Sequence, residues 1–240
     1  MTWRGLALPA KPLAAMALTA ALLLAGCGDG GEAARARADR LARQAGLRPL
    51  VLDTGRFHLL AFVRLTAPAP VLRVYIEGDG HAWATSERPS DDPTPWSPVA
   101  LELAAADSAP AVAYLARPCQ YVPPGTDAAC DQAVWTGARY SPEVIASTQA
   151  ALDRLKRLAG ASQLELVGFS GGGAVAVLAG AERGDLRNLR AVAANLDTDR
   201  WTWEHGVTPL RDSLNPVAVA PRLATVPQLL FVGGADRVVD

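Results

Sequence analysis

Between residues 141 and 160 the apolar positions Val144, Ile145, Ala151, Leu152, Leu155 and Leu158 recur at three- and four-residue intervals, the spacing of one helix face. Ser141 supplies an N-cap oxygen and Pro142 fits the first helical turn. Arg154, Lys156 and Arg157 crowd the other end, where the helix dipole favours cations, and Gly160 closes it. Elsewhere short, mainly apolar runs read as strands: 57–65, 71–76, 111–116, 164–167, 189–194 and 226–232. The first two are separated by a proline-containing turn, Thr66-Ala67-Pro68-Ala69-Pro70, and are expected to pair as a hairpin at a sheet edge. Residues 99–106 and 173–179 are helical in composition, the latter small and apolar enough to pack tightly on a sheet. Alanine and arginine interleave over 32–44, which reads as a short exposed helix with a solvated basic side.

One apolar run differs in kind. Residues 13–25 follow Arg4 and Lys11, are too short to span a bilayer comfortably, and end in Leu24-Ala25-Gly26-Cys27. This resembles the lipobox of bacterial lipoproteins, in which the cysteine is lipidated and becomes the mature N-terminus. The expected organisation is a signal peptide over 1–26, a tether and N-terminal segment over 27–55, and one domain over 56–240. The expected location is the bacterial cell envelope, lipid-anchored through Cys27 and facing the periplasm. Export leaves Cys119 and Cys130 in an oxidising compartment, where they are expected to form a disulfide contributing about 3 kcal/mol.

Composition then narrows the chemistry. A 240-residue chain, 50% hydrophobic, suffices for one sizeable α/β domain. A formal net charge of −1 and no basic run argue against nucleic-acid binding. Neither an H-E-x-x-H nor a C-x-x-C pattern occurs, so no metal and no cofactor is expected.

The strand at 164–167 runs into Gly168-Phe169-Ser170-Gly171-Gly172, a G-x-S-x-G sequence, and then into the small-residue helix. Strand, sharp turn and helix form the context of a nucleophile elbow. It presents Ser170 Oγ and aims the Gly171 amide where an oxyanion would form. The strand at 71–76 runs into Glu77-Gly78-Asp79-Gly80, a turn able to present amides; Asp79 is the expected second oxyanion donor and Gly80 the other candidate. His81 flanks that turn, and residues 81–98 form a loop with Trp83 and Trp96. The last strand leads into Gly233-Gly234-Ala235-Asp236, and the one before it into Asn195-Leu196-Asp197 and a loop with Trp201, Trp203 and His205.

Through G-F-S-G-G, E-G-D-G and G-G-A-D-R-V-V, the chain from Phe57 to Asp240 resembles the α/β-hydrolase family. The resemblance implies a mostly parallel sheet with helices on both faces, and esterase-like chemistry through an acyl-enzyme. It implies Ser170 as nucleophile, Asp236 as the acid with Asp197 as alternate, and Gly171 and Asp79 as oxyanion donors. Gly80, His81 and Trp201 are candidates to line an ester-binding site. Glu77 departs from the histidine that many relatives carry in this loop. The family order also asks for a histidine after Asp236, beyond one more strand, and the four residues that follow include none. The expectation is therefore a sequence lacking its last strand and histidine loop. His58, His81 and His205 have no family precedent as base. A second reading is a lipoprotein that keeps this scaffold for binding without turnover.

Overall fold

The computed structural model describes residues 30–123, 125–236 and 238. Cys27 and the expected signal segment lie outside the described residues. Seven strands form one sheet in the order β1-β2-β4-β3-β5-β6-β7. They are β1 (Arg48–Asp53), β2 (His58–Leu65), β3 (Val71–Ile76), β4 (Ala111–Leu115), β5 (Gln163–Phe169), β6 (Leu186–Val192) and β7 (Gln228–Phe231). β2 is antiparallel to both β1 and β4, and every pairing from β4 through β7 is parallel. The mostly parallel sheet expected of an α/β-hydrolase is what the chain builds.

The expected hairpin of β2 with β3 does not form. β3 lies between β4 and β5, with Leu72, Val74, Tyr75 and Ile76 all buried. A strand apolar on both faces belongs at the centre of a sheet, not at its edge. The edge partner of β2 is β1, with Leu52 opposite Leu59. Thr66 meanwhile donates its amide to Pro110 O, so the proline-containing turn leads the chain across β4 before β3 begins.

Helices cover both faces. On one, α4 (Pro142–Ala159) and α5 (Gly171–Gly180) bury Val144, Leu152, Leu155, Val175 and Leu178 against Leu59, Val74, Ile76 and Leu166. α4 has the predicted ends: Ser141 Oγ accepts the Val144 amide, and Gly160 caps it in the left-handed region. On the other face lie α1 (Gly30–Gln44) and α2 (Val99–Ala106). They bury Ala38, Ala42, Leu101 and Ala104 against Phe62, Tyr75, Tyr114 and Val167. α1 is thus a docked helix rather than an exposed one. Its small residues Ala34, Ala38 and Ala42 recur every four positions, so the interleaved arginines point outward while a smooth stripe approaches the core. Residues 30–53, placed ahead of the main domain by sequence, share its sheet and core.

The connections after β4 and β6 carry α3 (Gln132–Trp135), α6 (Thr198–Glu204) and a 3-10 helix (Pro216–Leu223), none of which the hydrophobic pattern had indicated. Cys119 and Cys130 form the expected disulfide, with Cα atoms 5.6 Å apart. His58 Nδ1 lies 2.5 Å from Asp127 Oδ1, and the His58 amide donates to Asp127 Oδ2, tying the crosslinked loop to β2. Among the described residues no helix is long and apolar enough to cross a membrane.

Candidate active site

β5 ends and α5 begins across one residue. Ser170 takes φ 51° and ψ −125°, an unfavourable region for a side chain. The turn is held from outside: the Ser170 amide donates to Val192 O at 2.9 Å, and Ser170 O accepts the Gly173 amide at 2.9 Å. Glycine is needed because the end of β3 presses into the elbow. A Cβ on Gly172 would stand 2.3 Å from Ile76 O, and one on Gly171 would stand 2.0 Å from Asp79 Oδ1. Gly171 is the first residue of α5, so its amide has no acceptor within the helix and faces outward with the positive end of the helix dipole.

The loop after β3 completes the floor. Glu77 N donates to Leu115 O and Gln120 Nε2 donates to Gly78 O at 2.9 Å, fixing the loop to the neighbouring strand and its crosslinked connection. Gly78 packs so closely that a Cβ there would lie 3.3 Å from Ser170 Cβ. A cavity of about 340 Å³ opens above, lined among others by Glu77, Asp79, Gly80, His81, Trp96 and Ser170. Ser170, Asp79, Gly80 and His81, picked separately from the sequence, therefore share one cavity.

Two buried carboxyls under this loop behave oppositely. Burial works to raise the Asp79 pKa, but the Arg139 and Arg117 guanidiniums outweigh it and hold the carboxyl below its usual range. Arg139 Nη1 reaches Asp79 Oδ2 at 2.9 Å, Arg117 Nη1 reaches Oδ1 at 3.0 Å, and Tyr140 OH donates to Oδ2 at 3.3 Å. The clamp fixes the carboxylate against Gly171 at the start of α5 and offsets its negative charge there. Glu77, 1% exposed, has no such cation; burial pushes its pKa up to about 7, against the Gly78 and Ala100 amides donating to Oε1. Tyr114 and Tyr121 are close enough to interact with it electrostatically. Even so, among the described residues Glu77 Oε2 and both phenol oxygens are buried without a partner in hydrogen-bond geometry. Sequence inspection missed Arg117, Gln120, Arg139 and Tyr140; only their position on connections at the C-terminal end of strands hinted at the site.

The remaining candidates are placed as follows. Among the described residues Ser170 Oγ has no hydrogen-bond partner. His81 lines its cavity and stacks on Trp96 with ring centroids 4.4 Å apart. His58 is the surface partner of Asp127, and His205 stacks on Trp201 and bonds its backbone oxygen through Nδ1. Asp236 follows β7, parallel to β5 and two strands away, and so comes to the same end of the sheet as Ser170. Its Oδ1 accepts the Val238 amide at 2.8 Å. Asp197 instead caps α6 through the Arg200 amide and accepts Asn215 Nδ2, the larger cause of its lowered pKa. Trp201 lines two neighbouring cavities rather than that of Ser170; the larger, about 740 Å³, has Trp83, Val207 and Leu210 as further walls.

No protein-family model matches the chain, and no curated protein does. Solved structures do. An esterase of Pyrococcus furiosus matches with a TM-score of 0.55 and 15% identity, over 82% of this chain and 76% of that one. A membrane phospholipase A, described as a bacterial virulence factor, matches with a TM-score of 0.50 and 14% identity, over 95% and 83%. A protein of Acinetobacter baumannii AYE matches with a TM-score of 0.43 and 16% identity over 68% of this chain, which spans 47% of its length. At these identities the likeness is one of fold, and the fold is that of the α/β-hydrolases.

Proposed function

We propose that the protein is a serine hydrolase of the bacterial cell envelope that cleaves carboxylic esters. One observation carries the reading: Ser170 sits on a strained strand-to-helix turn, directly before the helix that begins at Gly171, and shares one cavity with the loop bearing Asp79. Such strain brings no benefit to a purely structural turn. Ser170 Oγ attacks the ester carbonyl carbon, and its proton passes to a base. The amides of Gly171 and Asp79 receive the oxyanion. The alcohol leaves with the proton, and water then releases the acid from Ser170. Asp236 is the acid of the resemblance, and Cys27 is the lipid anchor. The esterase and phospholipase names of similar structures support an ester substrate.

A scaffold that binds without turnover is the second reading, favoured by the absence of a base on Ser170 Oγ among the described residues. Hydrolysis of p-nitrophenyl butyrate by the full chain separates the two. Turnover that Ser170→Ala reduces by at least about 10³-fold supports the enzyme. Turnover indistinguishable from Ser170→Ala supports the binding scaffold. If His81→Ala removes activity to the same extent as Ser170→Ala, His81 is the base.

A further inference from the structure

α1 does more than cover the sheet. Its first residue, Gly30, lies against Trp96: a Cβ there would stand 3.6 Å from the indole Nε1. Gly31 abuts the Asp92 carboxylate, which Arg35 from the next turn holds at 2.7 Å, so the start of the helix is fastened to the 81–98 loop. Trp96 lines the Ser170 cavity, stacks on His81 and is 57% exposed. Three Cα-to-Cα steps lead from Cys27 to Gly30, and three extended steps reach at most about 11 Å. Whatever holds Cys27 therefore holds the rim of the catalytic cavity within that distance.

The same end of the molecule exposes further large apolar side chains. Trp83, two residues after His81, is 41% exposed and shares a cavity wall with Val207 and Trp201. Trp203, on α6 beside Trp201, is 81% exposed. Indole rings with an apolar body and one polar N–H suit the boundary between lipid and water. Trp96 lines the Ser170 cavity, Trp83 lines another and Trp203 stands on α6, so three exposed indoles come to the end of the sheet where α1 starts. Within the 81–98 loop Arg88 is offset by Glu87 and Asp91, so what that loop itself offers a surface is apolar contact.

We infer that this end of the molecule docks on the lipid bilayer, with Trp83, Trp96 and Trp203 at the headgroup boundary. The Ser170 cavity then opens onto the membrane and takes esters of bilayer-resident amphiphiles. The inference rests on the reading of Cys27 as a lipid anchor and Ser170 as the nucleophile. The headgroup layer on each side of a bilayer is about 5–8 Å thick, comparable to the reach from Cys27 to the cavity rim. An ester at the glycerol level of a lipid would thus need little extraction.

The test reconstitutes the full chain in 3:1 phosphatidylethanolamine–phosphatidylglycerol vesicles containing lipid brominated near the headgroup end of its chains. Tryptophan emission should be quenched, and replacing Trp83, Trp96 and Trp203 by Phe should reduce that quenching at least about three-fold. Trp135, buried in the core, is the internal control. Ser170→Ala should leave the quenching unchanged, so a failure of the catalytic reading registers separately in ester hydrolysis. Palmitate labelling, compared with Cys27→Ser, reports the anchor. Without label, the anchor reading and this inference fall together. With label but equal quenching in the native and triple-Phe chains, the orientation alone is wrong.

Discussion

Ser170 and Asp79 are held by strong local devices, a strained turn and a two-arginine clamp; Glu77 is held by a weaker one. Its Oε1 accepts the Gly78 amide next to the predicted oxyanion donor, while among the described residues Oε2 has no partner in hydrogen-bond geometry, and burial raises its pKa to about 7. The folded protein therefore holds this proton more tightly than the unfolded chain, where the ordinary value is 4.5. As pH rises from 4.5 the unfolded chain ionises first, so stability falls until the folded group also ionises near 7, and the loss is constant above that. The difference corresponds to on the order of 3 kcal/mol. Glu77→Gln keeps an acceptor for Gly78 and removes the proton. Urea unfolding at pH 5 and pH 8 should show the native chain losing more stability with rising pH than the variant does. Equal slopes would mean that Glu77 is ionised throughout.

At the scale of elements, what could be read from sequence was what repeats locally. α4 was legible to its last residue because its apolar period, N-cap and closing glycine all agree. The elbow was legible because strand, G-x-S-x-G and small-residue helix are consecutive. Strand order was not, since β2 and β3 are adjacent in sequence and separated in space by β4. The Asp79 clamp was not either: Arg117 and Arg139 lie 38 and 60 residues away, and nothing local marks them as its partners. α1 failed for another reason. Its contact stripe is made of alanine, which carries little apolar signal, yet Ala38 is fully buried against the sheet layer. Ala38→Leu should overpack that contact and cost about 1–3 kcal/mol in chemical denaturation. Ala33→Leu, on the exposed side of the same helix, should stay within about 0.5 kcal/mol. Equal effects at the two positions would mean that α1 is not docked as described.

Across the whole molecule, the crosslinked connection after β4 joins stability to the site. It leaves the sheet at Arg117, whose guanidinium pairs with Asp79, and passes Gln120, whose side chain holds Gly78 O. Between and beside them Cys119 and Tyr121 both take positive φ, 68° and 62°, a conformation costly for residues with side chains. The Cys119–Cys130 bond spans this strained turn, and Asp127 within the loop is tied to His58 on β2. That hydrogen bond, with the Asp127 charge, raises the His58 pKa, so the tie is strongest below pH 6.5 and weakens as pH rises through the folded value. Removing the bond by Cys119→Ser with Cys130→Ser should lower stability by about 3 kcal/mol through the unfolded chain alone. The strained turn adds a second consequence. Without the crosslink, Arg117 and Gln120 are less firmly placed, and the loop bearing the Asp79 amide loosens with them. If the oxyanion is held there, kcat on a p-nitrophenyl ester should fall by more than KM rises, and the loss should persist at temperatures where the double variant is fully folded. A variant less stable by this amount but unchanged in kcat would show that the crosslink supports the fold without positioning the site.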